Sequence, residues 1–99
     1  PGVAKVWVKW EQNSAHGITV SYNMTSVTDG GLAGDTDHLF DTDFSGVEWA
    51  LVAAAQMNYI IGVVYGTISA GGVTTQTEKS SDLVDTDLTY NHIAIFGDQ

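Results

Sequence analysis

Cysteine and arginine are absent from the 99-residue sequence, and proline occurs only once. Without cysteine the chain can form no disulfide framework, no zinc ribbon and no thiol-based active site. The lack of cysteine does not indicate whether the protein resides in an oxidising or a reducing compartment. The single proline argues against a proline-rich linker. The length is typical of one domain with one core, so we predict a single domain over residues 1–99.

Basic residues are scarce, since 3 lysines stand against 12 acidic residues and give a formal net charge of −9. Such an acidic surface repels phosphate backbones, which argues against nucleic-acid binding, and it disfavours an anionic membrane surface for the same reason. No basic segment followed by an apolar one occurs at the N-terminus, so no signal peptide is predicted. Because Pro1-Gly2 is not a natural start, we expect a domain excised from a longer protein.

The segment Trp49–Thr77 contains no charged residue and is long enough to cross a bilayer. Gln56, Asn58 and four glycines interrupt it, however, and neither flank is basic as membrane spans prefer. We therefore expect buried strands in this segment and no membrane insertion.

Apolar and polar residues alternate along much of the chain, which predicts half-buried β-strands. In the first strand Val6, Val8 and Trp10 share one face, and positions 18–24 are expected to form a second strand with a polar outer face. The predicted strands are Val3–Trp10, Ile18–Thr25, His38–Phe40, Val47–Met57, Ile60–Ala70, Val73–Lys79 and Tyr90–Gly97. The breaks between them are Gln12–Gly17, Asp29–Asp35, Phe44–Gly46, Asn58, Gly71–Gly72 and Ser80–Thr89.

One of these segments has a helical alternative. Ala53–Ala55 favours a helix over Val47–Met57. Trp49, Val52 and the β-branched run that follows at 60–64 favour a strand, and the glycines suit a strand that bends. Seven or eight short strands at regular spacing predict an all-β fold, an antiparallel sandwich of jelly-roll type.

Two predicted strands are apolar on both faces. In Ile60–Ala70 both alternating sets are apolar, and in the last strand Tyr90, Ala94 and Phe96 face away from Ile93 and Ile95. A strand in a small sandwich normally has one wet face, so a neighbouring subunit is expected to cover the second one. Burial under a long loop and scattered surface apolar residues are the alternatives.

Three Asp-Thr-Asp triplets carry paired carboxylates at Asp35/Asp37, Asp41/Asp43 and Asp85/Asp87. On an extended segment each pair points the same way and could face a calcium ion, which binds oxygen ligands in flexible loops. The twelve-residue calcium loop with its closing glutamate is absent. The alternative is a solvated acidic loop that keeps an assembly soluble.

Motifs for metal binding and catalysis are weak. His16, His38 and His92 have no second histidine or cysteine at ligand spacing, so no metal site is predicted. No nucleophile motif occurs, and no spacing among the three glutamates (positions 11, 48 and 78) singles out an acid/base pair. The Gly-Gly pairs at 30–31 and 71–72 lack the lysine and helix of a phosphate loop. We therefore predict no enzyme activity, no catalytic residue and no cofactor.

Exposed tryptophan is a usual platform for sugar rings. Of Trp7, Trp10 and Trp49, the first lies opposite the apolar face of its strand and between Lys5 and Lys9. Trp7 is thus expected to be exposed or to lie at a subunit interface, and the alternative is a tryptophan in the core or at a subunit contact.

Five segments together resemble one family. Val6–Trp10 resembles an opening strand "AWVxF", and Ser21–Asp29 resembles "SYNVSSITD". Gly34-Asp35 with Phe40 stands where "GDYTVNF" is expected, and Trp49–Val52 where "YAVV" follows. His92–Gly97 is similar to a closing "VxVAVFG". The family is the C-terminal domain at the ends of many bacteriophage tail fibres and related virion proteins.

This resemblance implies a non-enzymatic tip domain in a virion appendage, assembled as a homotrimer, that helps fibre assembly or contacts a host cell-surface glycan or protein. Loops 29–37 and 80–89 are expected to face outward while the uncharged strands meet. The alternatives are a stand-alone carbohydrate-binding module and a calcium-stabilised adhesion domain.

Overall fold

The computed structural model describes residues 3–12, 16–64 and 66–99 as eight β-strands without a helix. The predicted all-β fold with seven or eight strands is confirmed. Within these ranges there is consequently no helix that could cross a membrane. The strands are β1 (Val6–Glu11), β2 (Gly17–Tyr22), β3 (Met24–Asp29), β4 (Asp35–Phe40), β5 (Ala50–Ala55), β6 (Tyr59–Val63), β7 (Gly72–Lys79) and β8 (Asn91–Phe96).

The strands form two four-stranded antiparallel sheets. Sheet I has the order β2-β1-β8-β5, and sheet II has the order β3-β4-β7-β6. Three hairpins (β1–β2, β3–β4 and β6–β7) pair neighbours in sequence, whereas β8 lies between β1 and β5. This arrangement is consistent with the expected β-sandwich, but it does not show the jelly-roll topology.

The core lies between the two sheets, as the alternation in β1 predicts. Sheet I contributes Val6, Val8 and Trp10 from β1, and sheet II packs against them. The buried apolar residues of this cluster are Val6, Val8, Trp10, Met24, Val27, Phe40, Phe44, Val73, Ile93 and Ile95. At one end three aromatic rings meet, with the Phe40 and Phe44 centroids 5.5 Å apart and Trp49 within 6.0 Å of both.

The predicted second strand, Ile18–Thr25, is in fact two strands in different sheets. Asn23 has a φ of 58° and turns the chain from β2 in sheet I to β3 in sheet II. Asparagine tolerates this left-handed conformation better than other non-glycine residues. Its side chain fixes the corner, since Nδ2 donates to Lys5 O at 3.1 Å and Oδ1 accepts from Thr42 N at 2.7 Å.

The uncharged segment forms strands, but not in the expected lengths. Residues 50–55 are a strand rather than a helix, and Asn58, with a φ of 74°, makes the predicted turn. The strand predicted over Ile60–Ala70 ends at Val63, and none of the described residues between it and Gly72 belongs to a further strand. The predictions that involve Pro1-Gly2, Asn13-Ser14 and Tyr65 lie outside the described residues.

Candidate interaction surfaces and the polar interior

A hydrogen-bonded polar cluster is buried at one end of the sandwich, and Gln12 lies at its centre. The Gln12 Nε2 donates to Gly34 O at 2.8 Å and to Thr36 Oγ1 at 3.0 Å. Its Oε1 accepts from Leu88 N at 2.8 Å and from Thr77 Oγ1 at 3.0 Å. One side chain after β1 thus ties together β4, β7 and the segment before β8.

Two further buried side chains extend this cluster. Thr36 Oγ1 also accepts from Trp10 Nε1 at 3.2 Å and lies 2.9 Å from His16 Nε2. Asn91 Nδ2 donates to Trp10 O and Leu88 O, each at 3.3 Å, while its Oδ1 has no hydrogen-bond partner. Buried polar groups are normally paired, and the bonds among these side chains join both sheets at this end of the sandwich.

His38 is buried beside this cluster and is held in its neutral form. Its Nε2 lies 2.9 Å from Thr75 Oγ1, and its ring packs edge-on against Trp10 with centroids 4.6 Å apart. Burial, and secondarily the nearby His16, lower the pKa of His38 to about 3. The Nδ1 atom has no hydrogen-bond partner. A histidine with this pKa does not exchange protons near neutral pH, so His38 is not suited to acid/base catalysis there.

Two of the three Asp-Thr-Asp triplets come together although they are far apart in sequence. The Gln76 Nε2 donates to Asp35 Oδ1 at 2.9 Å and to Asp85 Oδ2 at 3.2 Å. Asp87 Oδ1 accepts from Gly34 N at 2.8 Å. The side-chain amide of Gln76 and the backbone amide of Gly34 thus already donate hydrogen bonds to these carboxylates. Across the described ranges no three His, Cys, Asp or Glu side chains form a group that could hold a metal ion.

The third triplet lies apart from this group. Asp41 accepts a hydrogen bond from Thr25, and the Asp43 carboxylate lies beside Gly71. The histidines are divided as well, because His16 and His38 lie near the polar interior whereas His92 is exposed on β8. The sequence candidates for metal ligation are therefore spread over separate parts of the fold.

The expectation that loops 29–37 and 80–89 face outward is wrong in part. Residues 29–33 and 80–84 are exposed. β4, however, begins at Asp35, which is buried. The backbone of Asp85 pairs with that of Glu78 in β7 as an isolated antiparallel β-bridge. Leu88 is buried because Gln12 holds it through both Leu88 N and Leu88 O. The second half of each segment thus belongs to the folded body.

The outer face of sheet I is largely apolar. The register places Tyr22, Trp7, Ala94 and Val52 side by side across the four strands. The next row holds Val20, Lys9, His92 and Ala54, so neither row contains a carboxylate. Tyr22 is 56% exposed and Val52 is 61% exposed. Lys9 Nζ lies 5.7 Å from the ring centroid of Tyr90, which adds a cation–π contact at the rim of this face.

This face contradicts the expectation of a polar outer face at positions 18–24. Val20 and Tyr22 point outward because they pair with Lys9 and Trp7, which face away from the core. Trp7 itself is 38% exposed, so its predicted exposure is confirmed. Alternation within β2 could not say which of its faces is buried, since only pairing with β1 decides that.

The uncharged segment Trp49–Thr77 includes β5 and β6, which are edge strands of sheets I and II. The two strands contact each other and so form one side of the sandwich, which we call the β5–β6 side. Val52 and Ile60 are exposed on the outer faces of sheets I and II, respectively. The opposite side is formed by β2 and β3, which also contact each other.

Comparison of the chain with family models, with curated proteins and with solved structures found no match.

Proposed function

We propose that the chain is a non-enzymatic structural and interaction domain at the end of a phage tail fibre or similar virion protein, where it forms a homotrimer. The observation that carries the proposal is the exposed apolar surface of sheet I, which includes Trp7, Tyr22 and Val52. Monomeric soluble proteins rarely expose contiguous apolar patches above a few hundred Å². The resemblance of five segments to tail-fibre tip domains supplies the context.

In this proposal three copies bury the part of this apolar surface around Val52 against one another, leave Trp7 and Tyr22 exposed, and thereby close the end of the fibre. Closed rotational symmetry is the usual solution for soluble homo-oligomers. The acidic residues surround the assembly at exposed positions such as Asp29, Asp82 and Asp98, where their repulsion keeps separate assemblies apart. The domain acts by shape and association rather than by chemistry.

The decisive experiment is the mass in solution, measured by sedimentation equilibrium at micromolar concentrations. We expect three times the 10.5 kDa of one chain. A single-chain mass across the whole concentration range would contradict the proposal, because an obligate trimer cap has no function as a monomer.

Host-surface contact is the second part of the proposed function. Trp7 and Tyr22 lie directly opposite each other in the register and are both exposed, which is a suitable platform for a sugar ring. A glycan array tests this contact, and Trp7→Ala is expected to remove any binding. Glycan binding that survives the Trp7→Ala substitution would show that the glycan binds elsewhere on the domain. Such binding would also be compatible with the alternative of a stand-alone carbohydrate-binding module.

A calcium-stabilised adhesion domain is the other candidate, and the convergence of Asp35 and Asp85 at Gln76 favours it. It requires the carboxylates to exchange the Gln76 amide for calcium. A melting temperature that rises with calcium and returns with EDTA would support it. A melting temperature that does not change with calcium would contradict the calcium-stabilised adhesion domain.

A further inference from the structure

The few lysines of the chain are concentrated beside an exposed tryptophan. Lys5 and Lys9 flank Trp7 in the sequence, whereas Lys79 lies at the end of β7 in sheet II. Within β1 the buried residues alternate with Trp7, Lys9 and Glu11, so these three side chains point to the outer face of sheet I. A chain with a net charge of −9 thus places two of its three lysines next to Trp7.

A further exposed aromatic residue, Tyr90, lies on the same face. Tyr90 is 55% exposed, and the Lys9 Nζ atom lies 5.7 Å from its ring centroid. Because Ala94 pairs with Trp7 and Tyr90 precedes Ala94 by four residues, Trp7 and Tyr90 are roughly 14 Å apart along the strands. Lys9 and its pairing partner His92 occupy the row between them. The face therefore presents two aromatic platforms with a cation between them.

This arrangement matches an oligosaccharide that carries a negative charge. The rings of tryptophan and tyrosine stack on the C–H faces of sugar rings, and an ammonium group forms charge-assisted hydrogen bonds with a carboxylate. A span of roughly 14 Å is longer than a single sugar ring, so a ligand that contacts both platforms has several sugar units. An acidic peptide supplies the charge but not the repeated C–H ring faces.

We propose that the outer face of sheet I binds an acidic oligosaccharide whose sugar rings stack on Trp7 and Tyr90 and whose carboxylate binds Lys9. This inference rests on the proposed host-surface contact and adds the chemical class and the length of the glycan. Tyr22 pairs with Trp7 and widens the first platform. His92 can donate a hydrogen bond from the row of Lys9.

Glu11 determines on which side of Lys9 the sugar carboxylate binds. Glu11 follows Lys9 by two positions on the same face, whereas Trp7 precedes Lys9 by two positions. Since like charges repel, the sugar carboxylate lies between Trp7 and Lys9. Exposed charges more than about 8 Å away are largely screened at physiological salt, so the net charge of −9 does not prevent this contact.

The first test compares matched sugars on the wild-type protein by NMR titration. The probes are oligosaccharides of galacturonic acid, of alternating glucuronic acid and N-acetylglucosamine, and of sialic acid, each beside its carboxyl-reduced form. We expect at least one acidic probe to bind about five times more tightly than its reduced form. The probe that binds distinguishes a hexuronic acid from a sialic acid. Polyglutamate is the control for charge without sugar rings and should bind more weakly.

The second test changes one charge at a time. Lys9→Met keeps the length of the side chain and should weaken binding of the acidic probe about fivefold without affecting its reduced form. Lys79→Met changes the net charge equally but lies in sheet II, so it should affect neither probe. Glu11→Gln should strengthen binding of the acidic probe. Sedimentation and circular dichroism verify that each variant keeps the wild-type mass and strand signal.

Tyr90→Ala tests the length of the site. It should weaken binding of an acidic tetrasaccharide about fivefold and leave that of the disaccharide unchanged, because only the longer chain reaches both platforms. Equal weakening of both would overturn the proposed length.

The outcomes separate this inference from the proposed function. Equal affinities for the acidic and reduced probes, with both lost in Trp7→Ala, would overturn the acidic class and leave the proposed glycan contact standing. Equal weakening by Lys9→Met and Lys79→Met, or equally tight binding of polyglutamate, would overturn the inference as well. A trimeric wild type that binds no probe would overturn both the inference and the proposed host-surface contact, but not the proposed trimer.

Discussion

Gln12 is the residue on which most of the polar interior converges, because its amide bonds to three separate parts of the chain. We predict that Gln12→Ala lowers the free energy of unfolding by about 2–4 kcal/mol, since Leu88 N and Gly34 O lose a buried partner. Gln99→Ala is the control, because Gln99 makes one exposed bond to Thr42 O and should change stability by less than about 0.5 kcal/mol. Urea denaturation at fixed protein concentration measures both.

Equal losses for the two glutamine variants would contradict the central role of Gln12. If Gln12→Ala lowers the urea concentration at the midpoint and leaves the dependence of the unfolding free energy on urea unchanged, the variant still unfolds cooperatively.

His38 makes stability depend on pH. Its folded-state pKa is about 3 against an ordinary value of 6.5, because burial and His16 disfavour the charged ring. Below pH 6.5 the unfolded chain therefore binds a proton that the folded chain does not. The contribution of His38 is fully present above pH 6.5 and falls by about 1.4 kcal/mol per unit as pH drops toward 3.

The measurement is the free energy of unfolding between pH 7 and pH 4 for His38→Gln and for the exposed control His92→Gln. We predict a shallower decline for His38→Gln than for the wild type, and an unchanged slope for His92→Gln. If the free energy of unfolding depends on pH in the same way in all three proteins, the pKa of His38 is the same in the folded and unfolded states.

At the scale of elements, the start of β4 depends on one glycine. Gly34 has a φ of +81°, and a Cβ there would meet the backbone oxygen of Thr77. Gly31 has a φ of +96° but faces open space. We predict that Gly34→Ala lowers the free energy of unfolding by about 2–4 kcal/mol and Gly31→Ala by about 1 kcal/mol, the strain of the left-handed backbone alone.

Thermal or urea unfolding of both glycine variants gives this difference directly. Similar effects at the two positions would mean that the chain around Thr77 moves aside at little cost and that the close approach does not define the start of β4.

The same elements show how far a sequence predicts this fold. The position of β1 and its buried face followed from Val6, Val8 and Trp10, because alternation reports burial directly when one face is wholly apolar. The break at Asn23 was not predicted, since a single residue in a left-handed conformation leaves no polar interval in the pattern. The orientation of β2 depends on its pairing with β1, which is not local information.

The candidate surfaces were predicted less completely than the strands. The lack of charge in Trp49–Thr77 was visible in the sequence, but only the strand order shows that β5 and β6 are neighbouring edges. The meeting of Asp35 with Asp85 depends on Gln76, a residue that carries no motif. Gln12 likewise resembled an ordinary polar residue at a strand end.

At the scale of the whole molecule, charge opposes association. If copies meet through an uncharged surface, the remaining acids of each copy repel those of its neighbours, and salt screens this repulsion. We therefore predict that raising sodium chloride from 20 mM to 500 mM tightens the trimer, with a dissociation constant at least about ten times lower. Sedimentation equilibrium at the two salt concentrations measures this change.

Weaker association in high salt would contradict the prediction. It would indicate that attraction between unlike charges, with Lys9 and Lys5 as the available cations near sheet I, drives assembly instead.

The position of β8 between β1 and β5 has a consequence for how the chain folds during synthesis. The hydrogen bond between Gln12 and Leu88 joins residues 76 positions apart, so it can form only after Leu88 has been synthesised. The pairing of β1 likewise requires β8. Such distant pairings make folding slow, and here the central pair of sheet I cannot form until the ribosome has released residues 91–96. A chain interrupted before β8 leaves β1 and β5 without their shared neighbour. Synthesis of β8 is thus a precondition for the assembly of sheet I, whatever the order in which the earlier strands are made.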